Sequence, residues 1–247
     1  MDMNKRSFLG LGAAMAVVGC NRESHTSQKG NGVLTKTEDS PLTYTLPSPK
    51  TDGDMSVEKT MANRRSRRIM LPKKALAAAH LSQILWAAYG VTRPMPDRPS
   101  GGLHTAPSAG AIFPMEIYVV IGNVTGIEAG LYKYISRENK IVRTIDKDIR
   151  KGLGAAALNQ TMLRDAPATV VYTATFDRMI ARYGERGRDR YVFIEIGHSA
   201  QNVYLQAEAL GLGTCAVAAF DDEKISELLN LPETEKPFYL MPVGYFN

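Results

Sequence analysis

The chain has 247 residues, 44% apolar and 22% charged, with a net charge of +5. That balance is ordinary for a soluble globular protein with a real core, and the length suits one domain of about 190 residues plus an extension. Two cysteines, Cys20 and Cys215, and four histidines are too few for a disulfide framework or a convincing zinc site.

The N-terminus looks like a targeting segment. Lys5 and Arg6 precede an apolar run from Ser7 to Gly19. The run is shorter than the roughly 20 residues that span a bilayer, which predicts a secretory signal. Its ending, VVGC, is similar to a bacterial lipobox, so residues 1–19 are expected to be a lipoprotein signal and Cys20 a lipid anchor. A frayed helix with a chance cysteine is the alternative. NKRSFLG is also similar to a twin-arginine export signal with lysine in the first basic place. The expected location is the cell envelope or periplasm of a bacterium. Residues 20–54 are polar and carry Pro41, Pro47 and Pro49, which predicts a tether followed by an extended arm.

Residues 55–247 alternate helices and strands without internal repeats, which predicts one α+β domain. ALAAAHLSQILWAAYG (75–90) repeats apolar residues at helical spacing and stops at Gly90. Residues 91–114, rich in proline and glycine, predict a long ordered loop, and loops of that length are usually functional. MEIYVVIG (115–122) and ATVVYTATF (168–176) have strand composition, and GLYKYI (130–135) with KIVRTI (140–145) predicts a hairpin around SREN. Residues 148–158 are a helix candidate weakened by Gly152 and Gly154. The longest helical pattern covers 189–211, with Val192, Ile196, Ala200, Val203 and Ala207 in phase. Both its faces are fairly apolar, which fits a core helix or a dimer seam equally. A strand at 213–220, a helix at 221–231 capped by Asp221 and a strand at 238–246 complete the pattern. No Gly-x-Gly-x-x-Gly follows the first strand, which argues against a dinucleotide-binding Rossmann domain.

Six cations, Arg64, Arg65, Arg67, Arg68, Lys73 and Lys74, lie close together. On its own such a cluster is a solvated basic face or a grip on an anion: a nucleic-acid backbone, a lipid surface or one cofactor phosphate. Guanidinium groups suit phosphate because they donate in paired, planar geometry. A nucleic-acid role would leave the Gly- and Ala-rich segments without purpose.

Four segments in order, RRSRR (64–68), APSAGAIFPMEIYVV (106–120), IGHSAQNVYLQAEALGLGTCAVAAFD (196–221) and LMPVGY (240–245), resemble the nitroreductase-like FMN enzymes. The resemblance is nearest to the branch that includes the thiazoline/oxazoline dehydrogenases of azole-containing peptide biosynthesis. It implies an α+β nitroreductase-like fold: a central mixed or antiparallel sheet flanked by helices, with the long helix at a homodimer interface. It implies FMN, with Arg64, Arg65, Ser66 and Arg68 at its phosphate, ribityl chain and pyrimidine edge; Arg67 receives no role. Pro107, Ser108, Ala109 and Gly110 form a second wall, which the family often places across a subunit boundary. Ala218 and Ala219 stand where members commonly have glycine, and a backbone N–H there would donate to flavin N5. Many relatives continue past PVGY to a basic residue on the phosphate. The present sequence runs to Asn247, so the expectation is that the four arginines suffice, that phosphate affinity is lower, or that another residue takes that part.

The resemblance further implies an oxidoreductase with alternating half-reactions on a small organic substrate, the flavin supplying the chemistry and no single catalytic side chain required. His104, Glu116, Tyr118 and His198 are polar candidates for the pocket. The donor or acceptor is expected to be a quinone, oxygen or NAD(P)H, with no nucleic-acid partner. The azole-forming reaction is not assigned, because no biosynthetic partner is visible. The alternatives are a non-catalytic flavin- or small-molecule-binding envelope lipoprotein and a chain that keeps the fold without the cofactor.

Overall fold

A computed structural model describes residues 33–37 and 41–246. The expected signal, Cys20 and the first part of the tether lie outside the described residues.

Strand β5 (Met115–Ile121) shows how the core is organised. Met115, Ile117, Val119 and Ile121 point into one apolar cluster, and Tyr118 and Val120 into another. Side chains alternate across a strand, so a strand with buried apolar residues on both sides must be covered on both faces. The eight-stranded sheet around it runs β1 (Thr35–Thr37), β2 (Thr43–Thr45), β7 (Lys140–Ile145), β6 (Gly130–Ile135), β5, β8 (Ala168–Thr175), β10 (Glu235–Gly244) and β9 (Gly213–Thr214). All of these neighbouring strands pair antiparallel. One face is covered by α2 (Ala78–Tyr89) and α6 (Val192–Ala209), the other by α3 (Arg150–Ala156), α4 (Thr161–Asp165) and α7 (Asp222–Leu229). The α+β layering matches the sequence expectation.

Several local expectations change. The arm does not merely trail: Leu42, Tyr44 and Leu46 are buried, and β2 pairs with β7. Beyond it, Ser82 and Asn139 donate to the Pro47 carbonyl, and Gln83 exchanges hydrogen bonds with the Lys50 backbone. Residues 91–114 are not all loop, because β3 (Val91–Pro94) and β4 (Gly102–His104) form a small separate hairpin. The strand expected at 213–220 shrinks to Gly213–Thr214 plus a bridge from Val217 to Leu240. Ala218 and Ala219 are exposed, and alanines with nothing to bury give a ladder little to hold. Helices α1 (Val57–Asn63) and α5 (Phe176–Tyr183) were not anticipated; each buries one residue, Thr60 and Met179.

Two termini behave as expected. Asp221 accepts from the Lys224 N–H at 3.1 Å and caps α7. Gly90 ends α2, although not through a left-handed conformation; its φ is −67°. A Cβ there would lie 2.1 Å from the Trp86 ring, so close approach requires the glycine.

Candidate functional site

The arginine segment leaves α1 in extended conformation, since Arg64 has φ −48° and ψ 126°. The arginines that follow divide into one that turns inward and three that do not. Arg67 turns inward: its Nη2 reaches Glu208 Oε2 at 3.3 Å and its guanidinium lies 3.9 Å from the Phe246 ring centroid. Its backbone N–H donates to the Thr214 carbonyl at 2.9 Å. Arg67, which sequence left without a role, thus fastens the segment to α6, β9 and the last residues.

Arg64, Arg65 and Arg68 remain on the outside. Arg64 sits 5.1 Å from the Tyr204 ring centroid, and Arg65 Nη1 donates to the carbonyls of Ala62 and Arg64. Among the described residues none of the three has a carboxylate partner; the segment's one ion pair belongs to Arg67. Like charges crowded without counter-charges favour an anion between them.

Tyr204 of α6 connects this segment to the next. Its hydroxyl lies 3.1 Å from Ser66 Oγ and accepts the Ala216 N–H at 2.7 Å. Residues 64–68 and 216–219 therefore share one side of α6. Beyond Val217, which exchanges both hydrogen bonds with Leu240, the N–H groups of Ala218 and Ala219 donate to no acceptor among the described residues. The Ala219 carbonyl accepts from Gln160 Nε2 at 3.0 Å, which steadies the turn. Neither alanine has a positive φ, so alanine serves at both positions without strain.

The Pro107–Gly110 loop lies elsewhere. Thr105 fixes its start: its N–H and Oγ1 donate to the carbonyls of Gly90 and Trp86, and its carbonyl accepts from Asn202 Nδ2 at 3.1 Å. Ser108 Oγ accepts the Phe113 N–H at 2.9 Å and closes a tight turn. Within that turn Gly110, Ala111 and Phe113 take φ values of 61°, 54° and 54°. Left-handed alanine and phenylalanine are costly, and such strain concentrates at binding loops. A Cβ on Gly110 would lie 2.6 Å from the Tyr183 hydroxyl.

Asn202 touches this loop and Tyr204 touches Ser66. Two residues at about 100° each place them on opposite faces of a helix roughly 10 Å thick. The chain thus brings together two of the three segments expected around a flavin and holds the third on the far side of α6. The remaining face of α6 exposes Phe193 and Ile194, each at 49%, and Gly197, His198 and Gln201. Phe193 packs edge-on against Phe238, with Phe176 beside both.

The polar candidates separate as well. Tyr118 donates to the buried Glu235 at 3.0 Å, and Glu116 pairs with Lys133 and Arg178, so both serve a network on the sheet. His198 is exposed on α6. His104 stacks between Tyr89 and Phe113, with ring centroids 4.6 and 4.3 Å away, and burial lowers its pKa below the usual histidine value. These three rings and Glu116, Tyr134 and Arg178 line a cavity of about 360 Å³.

Sequence reasoning missed Tyr204 and Glu195. Glu195 is 2% exposed, and Tyr89 donates to its Oε1 at 2.8 Å. An acid beside Ile196 and three residues past Val192, on the apolar stripe of the longest helix, was the signal that would have found it.

The profile described as Nitroreductase family matches residues 61–245. A Methanocaldococcus jannaschii protein named provisionally as a nitroreductase is 44% identical over 191 residues, 77% of this chain and 91% of its own length. The trifolitoxin-processing protein TfxB of Rhizobium leguminosarum bv. trifolii is 32% identical over 129 residues; the match spans 51% of this chain and 35% of that protein. The crystal structure of a provisionally named nitroreductase from Ralstonia eutropha JMP134 aligns with a TM-score of 0.70 at 25% identity, over 83% of this chain and 90% of that one.

Proposed function

Because the chain belongs to the nitroreductase family, we propose that it is an FMN-dependent oxidoreductase whose cofactor sites form only where two copies meet. The observation that carries this reading is the division of the site by α6. Arg64, Arg65, Ser66 and Arg68 share one side with Ala218 and Ala219, and the Pro107–Gly110 loop lies on the other. The exposed stripe of Phe193, Ile194 and Gly197 is the face on which a second copy would seat, bringing its own loop across.

The residues present fit FMN. Three guanidinium groups without carboxylate partners among the described residues suit its phosphate, and the Ala218 and Ala219 N–H groups, which find no acceptor among those residues, suit the polar edge of its ring. Arg67 and Glu208 hold the arginine segment in place without reaching outward. When bound, FMN supplies two-electron transfer between a donor and an acceptor. The protein positions both in turn and excludes water; a quinone, oxygen or NAD(P)H and a small organic substrate are the proposed pair.

Arg64→Ala combined with Arg68→Ala is expected to weaken FMN binding by at least about 100-fold, given roughly 1.5–3 kcal/mol for each charge-assisted hydrogen bond. Fluorescence titration of the stripped protein measures this. Unchanged affinity in the double variant, or no flavin spectrum in the wild type, overturns the reading.

A further inference from the structure

His104 directs both ring nitrogens at carbonyl oxygens. Nδ1 lies 2.7 Å from the Tyr89 carbonyl, and Nε2 lies 3.1 Å from the Ser100 carbonyl. A carbonyl oxygen only accepts, and a neutral imidazole carries one N–H. Only the imidazolium satisfies both contacts at once. The setting suits that charge in two further ways. Tyr89 is the last residue of α2, where unpaired carbonyls form the negative end of the helix dipole. The Tyr89 and Phe113 rings flank the imidazole, with centroids 4.6 and 4.3 Å away, and aromatic faces attract cations.

The Ser100 carbonyl belongs to the tip of the β3–β4 hairpin. The tip is tied to itself: the N–H groups of Met95, Arg98 and Gly101 donate to the carbonyls of Gly101, Met95 and Arg98. The hairpin is a two-stranded sheet separate from the main one, and residues 96–99 are exposed. Such a hairpin is marginally stable alone. Two side chains fasten its tip. His104 reaches Ser100, and Arg137 Nη2 donates to the carbonyls of Arg98 and Pro99. Pro99 and Ser100 line the cavity of about 360 Å³ together with Tyr89, His104, Phe113 and Tyr134, so the tip covers one side of it.

We propose that His104 is a proton-operated clasp, which when charged holds residues 95–101 against the cavity and when neutral lets them go. The neutral ring keeps the shorter contact, to Tyr89 at the helix end. Nε2 then turns a lone pair towards the Ser100 carbonyl, and two acceptors 3.1 Å apart repel. Gly101 follows directly, with φ 85°, and provides a pivot. Phe113 belongs to the strained turn that Ser108 closes, so the clasp packs against the same loop that is proposed to wall the flavin.

Burial opposes the charge on His104 and the two carbonyls favour it. Burial prevails and holds the pKa below the ordinary histidine value. The clasp is therefore complete on the acid side and is lost as pH rises through that lowered midpoint. The charged groups packed nearby are Glu116 of β5 and Arg178 of α5, which pair with each other, and Arg137 of the turn after β6. Asp97 and Arg98 stand on the exposed tip itself. Burial keeps Tyr89 and Tyr134 protonated. Glu195 of α6 meets the Tyr89 hydroxyl and is pushed up to about 7, above the His104 midpoint, so the two titrations separate.

Nitrogen-15 NMR of the full chain between about pH 4.5 and 8 tests the clasp. The His104 ring nitrogens report the midpoint and the number of protons they carry. Amide relaxation gives order parameters for Met95, Asp97, Arg98, Ser100 and Gly101. In wild type these should be about 0.85 below the midpoint and fall toward about 0.6 above it, in step with His104 and not with Glu195. His104→Asn should give the low values at every pH, and Arg137→Ala should deepen the fall. If His104→Asn does not fold, the wild type and Arg137→Ala carry the test. Order parameters that stay level through the His104 midpoint overturn the clasp. So does a ring that holds a single proton down to the pH of acid unfolding.

Discussion

Co-expressing a chain carrying Arg64→Ala and Arg68→Ala with a chain carrying Gly110→Val will restore FMN binding that neither variant has alone. The recovery will be about one quarter of wild-type sites, because half of randomly assorted dimers are mixed and each mixed dimer has one intact site. The arithmetic follows from α6. Asn202 meets the Thr105 end of the loop and Tyr204 meets Ser66, on opposite faces of the helix. Gly110→Val disables the loop for two reasons: φ at Gly110 is +61°, and any Cβ would press on the Tyr183 hydroxyl. Flavin absorbance per chain of the whole co-expressed pool is the readout, and it should rise to about one half of wild type once mixed dimers are isolated by affinity capture. No recovery from two folded partners would mean that one chain supplies both segments, and the proposed subunit arrangement would be lost.

Stability will carry its own pH signature. Glu195 titrates near 4.5 when the chain is unfolded and near 7 when buried. Below 4.5 both states hold the proton, and the acid costs nothing. As pH rises through this window the unfolded chain releases its proton first, so the native state loses stability until the buried group has also ionised near 7. At about 1.36 kcal/mol per pH unit, the loss is roughly 3 kcal/mol. Glu195→Gln has no such group. The wild-type unfolding free energy minus that of the variant should therefore fall by this amount as pH rises across the window and stay level above it. Urea melts in paired buffers will measure it. A difference independent of pH would mean that the carboxyl stays ionised throughout.

The sequence disclosed elements whose burial pattern is local and strong. β5, the β6–β7 hairpin and β8 are β-branched and aromatic runs, and α2 and α6 repeat their apolar residues over three or more turns. It did not disclose α1 and α5, because a helix that buries one residue leaves little periodic trace. The run at 213–220 misled in the opposite direction: small apolar residues resemble a strand, but most of this one finds no partner.

The candidate site was legible to a similar degree. Four arginines around a serine announce an anion, yet the inward turn of Arg67 depends on Glu208 and Phe246, far along the chain. The three segments proposed to hold a flavin could be named from their resemblance to the nitroreductase-like enzymes and their order. Their separation by one helix could not, because it depends on which face of α6 each meets. Glu195 was overlooked because its neighbours, not the residue itself, determine that it is buried.

The junction of β2 with β7 also bears on the order in which the chain assembles. Thr43 meets Val142 and Tyr44 meets Ile141, which closes a loop of about a hundred residues to form three residue pairs. The β6–β7 hairpin closes over the short turn between Ile135 and Lys140 and can form early. The N-terminal arm should then be the last strand to zip on and the first to peel away, with amides at 43–45 exchanging with solvent sooner than those of β5 or β8. Hydrogen-exchange mass spectrometry would register that sequence of events as a wave travelling inward from one margin of the sheet.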